Sequence, residues 1–123
     1  EILEILEEVR FPLGSRTSKL RGNVHFFAGD WETAQRFFAL DFTISFTGVI
    51  TFTRDYDEVI KSAPLEMIMS ETDAPYVAPV PYRGKRNEPS YVREVVKSIA
   101  RVREEDEETV RAALVNNALS MIG

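Results

Sequence analysis

A chain of 123 residues is long enough for one domain with one core. At 44% hydrophobic and 28% charged it has a soluble globular composition, and no apolar run reaches the roughly 18–20 residues that a membrane span requires. A net charge of −5 argues against broad nonspecific nucleic-acid binding, and the lack of cysteine excludes disulfides and thiolate metal sites and makes a reducing cytoplasm the default. The charge is uneven: Glu104, Glu105, Asp106, Glu107 and Glu108 form an acidic run, whereas Arg83, Lys85 and Arg86 form a basic cluster.

In chain order, Ile2, Ile5, Leu6 and Val9 fall at helical spacing among glutamates and predict a first helix. The chain starts at Glu1, without Met and already inside this pattern, so it is expected to be the middle of a longer protein. Phe11 to Arg21, with Pro12 and Gly14, reads as a loop. Asn23–Phe27 is a short apolar run that holds the one histidine and predicts a buried strand. Asp30 is placed to cap a helix running through Leu40, with Trp31, Ala34, Phe37 and Phe38 on its apolar face.

Phe42–Phe46 predicts a second strand and Gly48–Phe52 a turn or short continuation. Asp55–Ser62 suits a short helix that Pro64 ends. Leu65–Ser70 predicts a third strand, with Glu71 and Asp73 at its C-terminal end. After a polar stretch, Val92, Val95, Val96, Ile99 and Val102 mark a helix opened by Pro89. Val110, Ala113, Leu114, Asn117 and Met121 mark another, preceded by acids and ending near Gly123. Strands that alternate with helices imply parallel pairing in a single α/β unit spanning residues 1–123. Three strands make a thin sheet with exposed edges, so the sheet is expected to be incomplete.

Several residues could carry chemistry, each with a plainer alternative. His25 at a strand end is either a metal ligand or a structural hydrogen-bonding residue. Glu71 and Asp73 are two apart, so an extended backbone points them to one side at the strand end where α/β folds bind ligands. There they could hold a cation or take a proton from water; equally, Asp73 could cap a turn before Ala74-Pro75. Arg83, Lys85 and Arg86 could clamp phosphate oxygens, or be solvated or paired to acids such as Glu88. Tyr76 and Tyr82 could stack on bases or simply pack the loop down. P-loop, GxGxxG, GxSxG and HExxH patterns are absent, and of the remaining chemistries metal-assisted hydrolysis fits the histidine and carboxylates best.

The stretch ETDAPYVAPVPYRGKRNEP, Glu71 to Pro89, resembles the late motif of the TatD family of metal-dependent deoxyribonucleases, close to LETDSPYLAPxPxRGKRNEP. GNVHFFAGDWETAQRFFALDFTISFTGVITF resembles that family's GVxHCFSG and ISFSGxxTF segments, and RAALVNNALSMIG resembles its closing helix. The resemblance runs in order from about Gly22 to Gly123. It implies the C-terminal part of a (β/α)8 TIM barrel, a fold of about 250 residues. Asn23–Phe27, Phe42–Phe46 and Leu65–Ser70 would then be the sixth, seventh and eighth strands.

By the same resemblance His25 and Asp73 are metal ligands, and Asp73 also orients or deprotonates the attacking water. Glu71 is a ligand or a partner of one, and the RGKRNEP loop braces the barrel or touches substrate. The implied cofactors are two divalent ions of the Mg, Mn or Zn type, and the implied substrate is DNA. Phe26 and Ala28 replace the family's Cys and Ser, and Met121-Ile122 departs from its usual ending. The early His-x-His pair, a bridging glutamate and a further histidine have no counterpart in this chain. The 123 residues alone are therefore expected to lack activity, and to pair with the missing barrel half or with a second copy through the open strand edges.

Overall fold

The computed structural model describes residues 22–25, 27–71 and 78–122. The predicted helix over 2–9 and loop over 11–21 lie outside them. Strand β1 is Gly22–Val24, β2 is Phe42–Phe46 and β3 is Ile68–Ser70. All three are parallel and lie in the sheet in sequence order, β1-β2-β3. Asn23 pairs with Thr43 and Ser45 with Met69, which fixes the register across the sheet. Each strand neighbours the next in the chain, as in the winding of a β/α barrel.

The helices form where the sequence predicts them, with shifts at their ends. Helix α1, Trp31–Ala39, starts at Asp30, whose Oδ1 accepts from the Thr33 amide at 2.9 Å. Helix α2, Asp57–Ser62, begins two residues later than predicted because a turn closed by Asp57 N–H to Arg54 C=O precedes it. Helix α3, Val92–Arg103, follows one 3-10 turn over Pro89–Tyr91 and ends at Glu104 in the left-handed region, φ 55°. Helix α4 is Glu107–Ile122, with Asp106 Oδ2 accepting from the Thr109 amide at 3.0 Å.

Two strands are shorter than predicted. The chain turns at His25, and the Phe27 amide then rejoins the sheet by donating to Ser45 C=O at 2.9 Å. By strict alternation Phe27 would share a face with Asn23 and His25. The turn shifts that alternation, and Phe27 packs edge-on against Phe46 in the core, ring centres 6.2 Å apart. Leu65–Met67 forms a 3-10 turn, so β3 starts only at Ile68.

One face of the sheet is covered by helices. Ile44, Phe46 and Ile68 bury completely against Ala34 and Phe37 of α1, Val59 and Ile60 of α2, Val95 and Ile99 of α3, and Val110 and Leu114 of α4. Two side chains fasten the periphery. Arg103 donates from Nη1 to the carbonyls of Ile60 (2.9 Å) and Ala63, satisfying the C-terminal end of α2. Asn117 of α4 donates from Nδ2 to both Leu65 and Ile68 carbonyls at 2.8 Å, holding the start of β3. A Cβ at Gly22 would lie 2.5 Å from the Phe42 ring, so a side chain there would require that ring to move.

Candidate active site at the strand ends

The three strands run the same way, so their C-terminal ends come together, the end that carries function in parallel β/α folds. The sheet face away from the helices is polar. Asn23 of β1, Thr43 and Ser45 of β2, and Met69 of β3 share it, as their mutual side-chain contacts show. Alternation extends the same face to His25 just past β1 and Glu71 just past β3.

These last two residues meet. The Glu71 amide donates to Phe46 C=O at 2.9 Å, which continues the pairing one residue beyond β3 and fixes the direction of its side chain. His25 Nδ1 lies 2.7 Å from Glu71 Oε1, a contact that spans the top of β2. The imidazole is 67% exposed and the carboxylate 16%, so the ring lies open on a largely buried acid. In the neutral ring, Nδ1–H donating to the carboxylate leaves the lone pair on Nε2, the arrangement in which carboxylates orient metal-binding histidines.

An imidazole backed by a carboxylate has the donor chemistry of a site for a divalent cation. It is only part of one: among the described residues no group of three or more His, Cys, Asp or Glu side chains is clustered to hold a metal. Asp73, the other ligand expected from the sequence, lies outside the described residues, as does Tyr76.

The basic loop is fastened down. Tyr82 stacks on Tyr91 with ring centres 3.8 Å apart, and a hydrogen bond to the Glu88 carboxylate pushes the Tyr91 hydroxyl above the usual tyrosine range. Arg83 lies over the Phe52 ring at 3.7 Å, and the Val80 amide donates to Thr51 Oγ1 at 2.8 Å. Gly84 takes φ 86°, a left-handed conformation that favours glycine. Lys85 and Arg86 are exposed, and among the described residues no ion pair joins Arg83, Lys85 or Arg86 to an acid. Glu88 engages Tyr91, and the two tyrosines cover each other.

Sequence reasoning passed over Asn23, Thr43 and Ser45. The signal was present in β2, where Phe-Thr-Ile-Ser-Phe alternates strictly between apolar and polar. Strands of a parallel barrel are ordinarily apolar on both faces, so hydroxyls at every second position mark a face with a polar task.

Parallel strands in sequence order with helices on one face have the build of a β/α-barrel segment, and the histidine–carboxylate pair lies at the strand ends where such folds carry function. The chain belongs to the TatD related DNase family, whose model matches residues 1–123. The metal-dependent hydrolase YabD of Bacillus subtilis is 39% identical over 79% of this chain, and the match covers 39% of YabD. The metal-dependent hydrolase YcfH of Escherichia coli is 43% identical over 64% of this chain and 31% of its own length. The crystal structure of YjjV, a TatD homologue from Escherichia coli, superposes with a TM-score of 0.75 at 30% identity over 91% of this chain and 44% of that one. A TatD family hydrolase from Entamoeba histolytica shares the fold, with a TM-score of 0.74 at 21% identity over 82% of this chain and 42% of that one. The fold is thus part of a (β/α)8 barrel, and the chain spans less than half the length of these relatives.

Proposed function

We propose that these residues form part of the active site of a divalent-metal-dependent hydrolase that cleaves DNA phosphodiester bonds. The observation that carries this reading is the 2.7 Å contact of His25 Nδ1 with Glu71 Oε1 at the strand ends of a TatD-family chain. The family description and the relatives' names support the metal and the hydrolysis. A bound divalent cation, of the Mg, Mn or Zn type and one of two, supplies Lewis acidity toward the phosphodiester and its attacking water.

The chain's own groups do the rest. Glu71 holds the imidazole by Nδ1, so that His25 presents Nε2 to the cation. Asp73, by family resemblance, adds a carboxylate ligand and accepts the proton of the attacking water. Lys85 and Arg86 are placed on an exposed loop where they can meet phosphate oxygens; Arg83 braces that loop on Phe52. In keeping with the lack of cysteine, we place the protein in the cytoplasm; no helix among the described residues is long and apolar enough to cross a membrane.

The test compares DNA, RNA and simple esters as substrates for a barrel-length protein carrying these residues, with and without chelator. Metal-dependent cleavage of DNA, lost on chelation and in His25→Ala and Asp73→Asn, is the expected result. Turnover of esters with no cleavage of DNA would overturn the nuclease reading while leaving a metal-dependent ester or amide hydrolase in its place. The 123-residue chain alone is expected to be inactive, since a two-donor pair holds metal weakly. Nuclease activity from it that Asp73→Asn abolishes would refute that expectation.

A second reading is favoured by the sheet edges. Among the described residues β1 and β3 each pair on one side only. Val115 of α4 is exposed and lines a cleft with Met69 and Ser70 of β3, and Leu119 of the same helix is exposed. Such edges recruit further strands, either the remaining barrel half or a second copy. Light scattering decides the second-copy version, which a monomer at high concentration excludes.

A further inference from the structure

The interior of a β/α barrel is built in layers, and side chains within one layer come from alternate strands. β1 and β3 are alternate strands, so Asn23 and Met69 fall in one layer, and His25 and Glu71 fall in the next layer toward the strand ends. Ser45, from the intervening strand, lies between the two. The lower layer is tied together by a single carboxamide. Asn23 Nδ2 donates to Thr43 Oγ1 at 2.8 Å and to Met69 Sδ at 3.3 Å, while Asn23 Oδ1 accepts from Ser45 Oγ at 2.8 Å. Thr43 Oγ1 is in turn 3.5 Å from both Gly22 C=O and Met69 Sδ. One side chain therefore touches all three strands from the concave side.

We propose that Asn23 is a positioning residue for the His25–Glu71 pair. β1 and β3 each pair with β2 and exchange no backbone hydrogen bonds, so the direct links between them across the polar face are side chains that bridge over β2. Asn23 makes that bridge two residues before His25, and Met69 receives it two residues before Glu71. An apolar residue of the same size would fill the space without fixing the tilt of β1 toward β3. Ser45, 2% exposed, locks the carboxamide against flipping by donating to its oxygen. The inference concerns the placement of the pair; it draws its purpose from the metal-site reading but not its geometry.

His25 is the only histidine, so every imidazole signal in the spectrum of the 123-residue chain belongs to it. Long-range proton–nitrogen spectra, recorded at a pH high enough that the ring's own nitrogen shifts show it neutral, report which ring nitrogen carries the proton. The wild-type chain is expected to hold the Nδ1–H form. Asn23→Leu, which keeps the branched heavy-atom skeleton of the carboxamide without its polar atoms, is expected to shift the ratio toward Nε2–H by about fivefold or more, the worth of one ordinary hydrogen bond. Ser45→Ala is expected to shift it the same way by less, and Glu71→Leu gives the reference for complete loss.

Circular dichroism and amide spectra establish that each variant retains the fold. A wild-type ratio in folded Asn23→Leu and Ser45→Ala overturns the proposal, as does an Nε2–H form in the wild type. Should neither variant fold, the network is a folding requirement and the positioning role falls. No metal enters the measurement, so failure of the hydrolase reading and failure of this inference are told apart.

Discussion

The two faces of the sheet follow opposite rules although the same short strands supply both. Toward the helices, Ile44, Phe46 and Ile68 are fully buried among aliphatic and aromatic neighbours. On the other face, Asn23, Thr43, Ser45 and Met69 are tied by directional contacts, with His25 and Glu71 above them. The first face gains from area removed from water, which is insensitive to orientation. The second gains little net energy per hydrogen bond but fixes orientation, because a buried polar group without its partner is costly. Stability is therefore concentrated on one side of the sheet and placement on the other.

The sharpest test of that division is Phe46→Ala, which removes a ring 1% exposed. It is expected to cost about 3–5 kcal/mol of unfolding free energy by denaturant titration. A cost no larger than that of Ser45→Ala would break the comparison. Asn117→Ala strips the Leu65 and Ile68 carbonyls of their donor. We expect a loss of about 1–3 kcal/mol, with the fastest amide exchange appearing in β3. Thr43→Val keeps the shape and removes the hydroxyl from the polar face. Its expected cost is only about 1 kcal/mol, and a loss comparable to Phe46→Ala would mean that the polar layer carries the fold.

Glu104→Gly relieves a side chain held at φ 55° and is expected to stabilise by about 0.5–1 kcal/mol without touching either face. The smallest effect is local. Accepting from the Thr33 amide holds the Asp30 carboxyl below the ordinary aspartate pKa. A depressed folded pKa means that this cap contributes fully above the ordinary value and is lost as pH falls through the lower one. Acidification should therefore fray the first turn of α1, seen as faster exchange at the Thr33 amide, before either sheet face responds.

Much of the helix-facing side was legible in the sequence. Apolar periodicity placed the helices, Asp30 announced its cap, and the short run Phe42–Phe46 located the central strand. Local chemistry dictates these features, and a single window of sequence contains it. The polar face was less legible because its contacts join residues far apart in the chain. His25 meets Glu71 across 46 positions, and Asn23 reaches Met69 across the same interval. Each of those residues has a bland reading alone; only strand order and register bring them together. The early end of β1 was hidden for a related reason, since nothing in the short run Asn23–Phe27 announces the turn at His25 that sends Phe27 to the other face.

Asn117 has a consequence for how the sheet can grow. The Glu71 amide points toward β2, so alternation directs the Ile68 and Ser70 carbonyls to the outer edge of β3. Asn117 already occupies the first of them. An added strand that pairs from Ser70 onward, one step nearer the C-terminal end, leaves that bond undisturbed, whereas one that begins level with Ile68 has to share the carbonyl with Asn117. Closing a barrel requires such an offset between neighbouring strands. One side chain of the last helix thus acts as a ratchet tooth, favouring one starting notch for whatever strand comes next.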